Sequence, residues 1–489
     1  MPSFSVWKMS VLFTATLMAV MFSAAAQAQI SLIQLSTDTF TNSSSQHMTE
    51  VEPDTFAYGN TIVSAFQVGR ISSGGSSDIG FATSTDGGVT WTNGFLPGIT
   101  IFYQGGRFSA ASDPSVAYDP VRGKWMIVTL GLSSNNVILV STSSDGINWN
   151  NPVTVNSTTS FADKTWIRCD TNLSSPFAGN CYAEWDDAGI GDQIKMSRST
   201  DGGNTWSAAV NVPGGFGLGG QPITLPNGTV VVPFEGNGIQ AFTSTDGGVT
   251  WNRPVNVATI TDHGVAGSLR TSPLPTAEVD GAGTVYVAWQ DCRFRTSCRS
   301  NDIVYSTSAN GTSWSAVKRV PIDPTTSTLD HFIPGLAVDP STSGSTAHLA
   351  LTFYLYPNAA CGSSCSLNVA FISSKDGGAT WSKPLKLAGP MRTTWLPNTT
   401  LGRMVGDYIS TSFVNGHVAF GVFAKALQNN GSVFNEAMYT TGLPADILAG
   451  PGVLSSVGER PVPNAKSDHG PSQYWDHEGR LPKPPAEVD

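Results

Sequence analysis

Residues able to hold an acidic group or move a proton recur along this chain just ahead of apolar, strand-like runs. In order they are Glu52 and Asp54, Asp113, then Asp163, Lys164 and Trp166, Gln221, Arg270, Asp330 and His331, and finally Arg403, Asp407 and Tyr408. Arginine and lysine bind carboxylates, while a carboxyl, a histidine or a tyrosine can give or take a proton. Gathered at one place, this mixture would bind a carboxylated ligand and act on it. Left apart, the same residues would cap strands or hold water and ions.

Whether they are gathered depends on the elements between them. The octapeptide Ser-Thr-Asp-Gly-Gly-Val-Thr-Trp at 84–91 recurs at 199–206, 244–251 and 374–381, with shorter copies at 143–149 and 308–314, where Asn310 replaces the aspartate. The copies lie about 45 to 67 residues apart, close to the length of one propeller blade. Each reads as a tight hairpin. The aspartate accepts hydrogen bonds from nearby amides, the glycines supply positive φ, and the tryptophan folds back as an apolar plug. Asp86, Asp201, Asp246 and Asp376 are therefore assigned to folding, not chemistry.

Each copy closes a unit of common plan: an inner strand, a strongly apolar strand (62–66, 125–130, 230–234, 285–289), then the strand entering the hairpin. Units begin near Val51, Asp113, Lys164, Gly220, Pro275, Ile333 and Val405. The expectation is an all-β, seven-bladed β-propeller over 29–445, with a six-bladed ring plus one accessory hairpin as the alternative. The last unit, with strands at 408–413, 417–424 and 436–440, would borrow residues 30–36 as its outer strand and leave no free edge. In such a ring the loops entering the inner strands converge on one mouth.

Residues 1–28 read as a signal peptide: Lys8, an apolar run at 11–26 and Ala26-Gln27-Ala28 as the cleavage pattern. The run is shorter than the roughly 20 residues that span a bilayer, so no membrane span is expected after cleavage. Six cysteines fall into close pairs, Cys169 with Cys181, Cys292 with Cys298 and Cys361 with Cys365, which an exported protein can oxidise. A secreted, extracellular or periplasmic monomer is expected. Residues 446–489 are Pro-rich and polar and read as a flexible tail. A net charge of −10 argues against nucleic acid. No cofactor or catalytic metal is expected; a structural calcium is conceivable, although no acidic run has the spacing of a known calcium loop.

The repeated hairpin resembles the Asp box of the sialidase-like β-propellers. The resemblance implies an extracellular glycan or glycoconjugate as partner and, as the leading activity, an exo-sialidase-like glycosidase. In that family a tyrosine beginning a late inner strand is the nucleophile, and Tyr408, in a Tyr-Ile-Ser-Thr-Ser-Phe run followed by Asn415-Gly416, looks similar. Asp78, in the first unit, matches the acid/base aspartate in place, and Glu235 is the candidate partner of the tyrosine. Arg70, Arg270 and Arg403 are the candidate carboxylate-binding arginines, with Asp113, His331 and Asp407 also lining the site. Two other readings stay open. A uronate lyase would use an arginine with His331 or Tyr408 as base, and a propeller without catalysis would bind glycan or protein, or serve as a scaffold.

Overall fold

The computed structural model describes residues 1–2, 30–134, 136–414, 418–431, 433–442 and 458–462. The signal peptide, its cleavage site and the Asn415-Gly416 turn lie outside the described residues.

The structure is all-β and built from one repeating unit, an antiparallel sheet of four strands in chain order. The first sheet comprises Glu50–Tyr58, Thr61–Arg70, Ser76–Ser84 and Thr92–Phe95; the second comprises Ala110–Asp119, Lys124–Leu132, Val137–Ser143 and Val153–Asn156. A single pair, Ser76↔Ala111, joins the two. Four further sheets follow, with innermost strands Ala162–Cys169, Ile223–Thr224, Thr276–Val279 and Asp330–Val338. The last sheet runs Ser410–Val414, Val418–Ala426, Glu436–Thr441, and its fourth strand is the amino-terminal Leu32–Gln34, paired antiparallel to Glu436–Thr441. This is the arrangement of a propeller: each innermost strand touches the next, and Ser410–Val414 touches both Asp330–Val338 and Glu50–Tyr58.

The repeated octapeptides form the expected turns. In the first, the Asp86 carboxylate accepts from the Thr90 amide (2.9 Å) and the Thr90 hydroxyl (2.6 Å), and Ser84 Oγ accepts from the Gly88 amide (2.7 Å). The same bonds recur around Asp201, Asp246 and Asp376. Gly88 sits at φ +92°, and a Cβ there would meet the Phe420 ring, so only glycine fits. The tryptophans reach across to the preceding sheet: Trp149 packs on Phe81, Trp251 on Tyr182, Trp381 on Tyr305, and Trp91 of the first sheet on Phe420 of the last. Apolar clusters fill the gaps between neighbouring sheets, for example Val128, Leu130, Ile167 and Trp185 between the second and third.

All three cysteine pairs are disulfides: Cys169–Cys181, Cys292–Cys298 and Cys361–Cys365. Among the described residues no helix is long and apolar enough to cross a membrane. Of the segment expected as a flexible tail, residues 458–462 lie against the fifth sheet. There the Val462 amide donates to the Arg293 carbonyl (2.6 Å) and Glu459 pairs with Arg319 (3.1 Å).

Candidate functional site

Four innermost strands share one irregularity. Their pairing register slips between Val51 and Asp54, Ser112 and Ser115, Asp163 and Trp166, and Phe332 and Gly335. At each slip one residue takes positive φ: Glu52 (+57°), Asp113 (+48°), Lys164 (+47°) and Ile333 (+49°). A bulge re-aims the side chain of its extra residue, and a non-glycine residue in this left-handed region costs roughly 1–3 kcal/mol that the surrounding sheet must offset. Three of the four bulges present charged groups to one cavity of about 350 Å³. Its wall also carries Arg70, Asp163 and Arg270, with Leu132, Phe161 and Leu401 as an apolar side.

The charges interlock. Arg270 donates from Nε to Asp407 Oδ1 (2.6 Å) and from Nη2 to Oδ2. Lys164 Nζ donates to the same Oδ2 and stands 3.9 Å from both Glu52 Oε1 and Asp113 Oδ1. The Asp407 amide donates to Glu52 Oε1 (3.2 Å). Glu52, Asp113, Lys164 and Asp407 are all buried. Burial pushes the Glu52 carboxyl up, and with Asp407 and Asp113 adding to it against Lys164 and Arg270 it reaches about 8. Burial also opposes the charge on Asp407, but Arg270 and Lys164 outweigh it and hold that carboxyl well below the usual range. Two neighbouring carboxyls are thus pushed in opposite directions, Glu52 up and Asp407 down.

Gln67 Nε2 donates to Glu52 Oε2 and to Ser112 Oγ (3.2 Å), while its Oε1 is buried without a partner. Arg70, Lys164 and Arg270 thus face Glu52, Asp113, Asp163 and Asp407 around one space.

Of the residues expected to form a site, Arg70, Arg270, Asp113 and Asp407 come together around this cavity. Arg70 is buried, donating to the Ile71 carbonyl (2.9 Å) and to Met404 Sδ (3.1 Å). Arg403 contributes through its backbone: its carbonyl accepts from the Arg270 amide (2.7 Å), while its guanidinium turns to the Leu396 carbonyl (2.9 Å). The hairpin Asn398–Thr399 with Gly402–Arg403 overhangs the cavity and was not foreseen.

The others lie apart. Tyr408 lines a narrow waist next to the cavity, beside Trp166 (ring centroids 5.0 Å apart), and donates its hydroxyl to the Pro114 carbonyl (3.1 Å). Burial, then Glu52, Asp113, Asp54 and Asp407, raise its pKa well above the usual tyrosine value. Asp78 is fully buried away from the cavity, bonded by the Ile79 amide (2.8 Å) and Thr100 Oγ1 (3.2 Å), and burial raises it to about 8. Glu235 lines none of these spaces, its backbone pairing with Leu218. His331 is buried with Nδ1 3.1 Å from the Asn301 carbonyl, and burial lowers its pKa. His331, Asp302 and Asp323 lie close enough to ligate a cation, but both acids are already met by Arg295 and Arg319. Glu52, Lys164 and Gln67 were the groups that sequence reasoning underweighted; the Glu52-Pro-Asp and Asp113-Pro-Ser runs at matching places were the available signal.

No family model matches this chain, and no curated protein matches it. Solved structures do. A leech intramolecular trans-sialidase is similar over 63% of this chain and 65% of its own, at 13% identity and TM-score 0.41. Trypanosoma rangeli sialidase in complex with sialic acid is similar over 85% of this chain and 59% of its own, at 14% identity and TM-score 0.44. A PL25 polysaccharide lyase, an ulvan lyase bound to a GlcA–Rha3S chain, is similar over 82% of this chain and 95% of its own, at 12% identity and TM-score 0.47. These likenesses are of low identity, with TM-scores below 0.5 throughout.

Proposed function

We propose that the chain is a secreted, seven-bladed β-propeller closed by its amino-terminal strand, and that it cleaves acidic-sugar glycans in the cavity around Glu52. Three disulfides support an oxidising destination. The antiparallel pairing of Leu32–Gln34 with the last sheet supports the closure.

The observation that carries the activity is the cluster around Lys164, with Glu52 and Asp113 each 3.9 Å from its Nζ and Asp407 bound to both Lys164 and Arg270. Glu52, near 8, is a general acid at neutral pH, able to protonate a departing glycosidic oxygen. In this scheme Asp113, across Lys164 from Glu52, takes the proton of the attacking water. Asp407 stays ionised and fixes Lys164 and Arg270, whose remaining N–H groups, with Arg70, meet the sugar carboxylate. The proton transfer belongs to Glu52 in this scheme, and Tyr408 lines the small space next to the cavity.

The test is turnover of sialyl-lactose and of uronate polysaccharides, following released sialic acid, reducing ends and unsaturated-sugar absorbance. Release of sugar without unsaturation, lowered by about 100-fold or more in Glu52→Gln, is expected. Turnover unchanged by Glu52→Gln overturns the assignment, and unsaturated products overturn the hydrolytic step.

A further inference from the structure

The innermost strands that carry the charged cavity at their beginnings line a second and larger space at their ends. Phe56 and Tyr58 lie four and six residues beyond Glu52, and Arg168 four beyond Lys164. At about 3.3 Å per residue the two spaces are separated by some 13 Å of strand. The second cavity is about 480 Å³. Trp166 and Tyr408 stand in the waist between the two.

Its chemistry differs from that of the mouth. Arg168 forms a forked pair with Glu278 (3.3 and 3.2 Å), which uses both ends of the guanidinium. Asp280 is engaged by backbone amides of Ala282 (3.0 Å), Thr284 (2.8 Å) and Gly344 (2.9 Å). Among the described residues of the lining, Arg168 stands against two acids, Glu278 and Asp280, so the wall does not favour an anion. What remains is a lining of hydroxyls, including Thr171, Ser174 and Thr224, beside an aromatic edge.

That edge is held rigidly. The Arg168 guanidinium stacks on Phe56 (4.8 Å), Phe56 packs against Trp125, Trp125 against Tyr118, and Tyr118 against Tyr58 (4.5 Å). Tyr58, last in the series, is 38% exposed and belongs to the cavity wall. A ring braced on one side and open on the other presents an apolar face to a ligand, while the hydroxyls and the Glu278 carboxylate accept and donate hydrogen bonds. The ligand that matches is uncharged, carries many hydroxyls and has flat C–H faces.

We propose that this far cavity is a second binding site, for an uncharged oligosaccharide, reached from the end of the channel opposite the charged cavity. The inference is independent of the reaction assigned to the mouth. A site of this size, with one aromatic platform and a few fixed polar groups, is of the ordinary kind for small ligands. It would let the protein hold a neutral stretch of glycan while the mouth engages an acidic one.

The experiment is calorimetric titration of the full mature chain with cellohexaose, xylohexaose, mannohexaose and maltohexaose. At least one is expected to bind. Tyr58→Ala is expected to weaken it by about fivefold, the scale of one aromatic contact, and Tyr58→Phe to leave it within about twofold. Glu52→Gln is expected to leave it unchanged. Binding of none of the four, binding indifferent to Tyr58→Ala, or binding lost in Glu52→Gln overturns the proposal. Since Tyr58 is exposed and the mouth variant is read separately, failure here leaves the reading of the mouth standing, and failure there leaves this site standing.

Discussion

The amide of Asp407 donates to Glu52 Oε1 at 3.2 Å, and both carboxyls face the ammonium of Lys164, yet their pKa values are pushed in opposite directions. The difference lies in the cations. Arg270 grips Asp407 with two N–H groups, whereas Glu52 meets Lys164 only at 3.9 Å and is left with the amide of Gln67. The low-dielectric site amplifies this asymmetry into a separation of pKa values.

Because Glu52 must carry its proton to act as an acid, activity should fall as pH rises through about 8. Asp407 is ionised throughout the accessible range and adds no acid limb. A kcat/KM profile checks this, and an alkaline limb that survives in Glu52→Gln would assign it to another group.

Replacing Asp407 by Asn removes the negative neighbour that raises Glu52 and frees Lys164 and Arg270 to face it. The alkaline limb should move to lower pH. Two buried cations also lose their partner, and stability should drop by roughly 3–5 kcal/mol. Denaturation and the pH profile are two separate readouts.

Stability itself should depend on pH in two windows. Glu50, Glu52 and Asp78 are pushed up to about 8, chiefly by burial. A raised acid binds more protons folded than unfolded, so its contribution is lost as pH rises from roughly 4 towards 8. Asp86 and Asp246, lowered to about 2 in their turns, act the other way and lose theirs as pH falls from roughly 4 to 2. Melting temperature should peak in mildly acid solution, and Asp78→Asn should flatten its decline on the alkaline side. A melting temperature that climbs from pH 5 to 8.5 would contradict this.

Trp381 is fully buried against Tyr305 of the neighbouring sheet. Trp381→Ala should cost about 3–5 kcal/mol in chemical denaturation and leave activity intact below the transition. Loss of activity with unchanged stability would mean the tryptophan does more than fill the gap between sheets.

The repeating unit was legible because its signal is local. An aspartate (asparagine in one copy), one or two glycines and a tryptophan close behind dictate one turn, and its six copies mark six of the units. The seventh, ending in Glu436–Thr441, carries no such turn and was placed from its apolar strands and from the need to cover an edge; the pairing of Ile33 with Thr440 shows which strand covers it. The site was legible only in part. Arg270 and Asp407 are 137 residues apart, and their pairing depends on a long loop reaching back under the hairpin that ends at Arg403. Glu52 looked like one acid among many, because what raises it is burial and company, neither of which is written beside it in the chain. Asp78 and Glu235 drew attention by their place in a familiar pattern, but Asp78 closes onto its own sheet and loop, and Glu235 pairs with the strand segment before it.

The most direct test is an infrared pH titration of the carboxylic-acid carbonyl band, taken as the difference between the native protein and Glu52→Gln. A protonated Glu52 should give a band present at pH 6.5 that disappears with a midpoint near 8. No difference band at pH 6.5, or a midpoint near the ordinary glutamate value of about 4.3, would contradict the account.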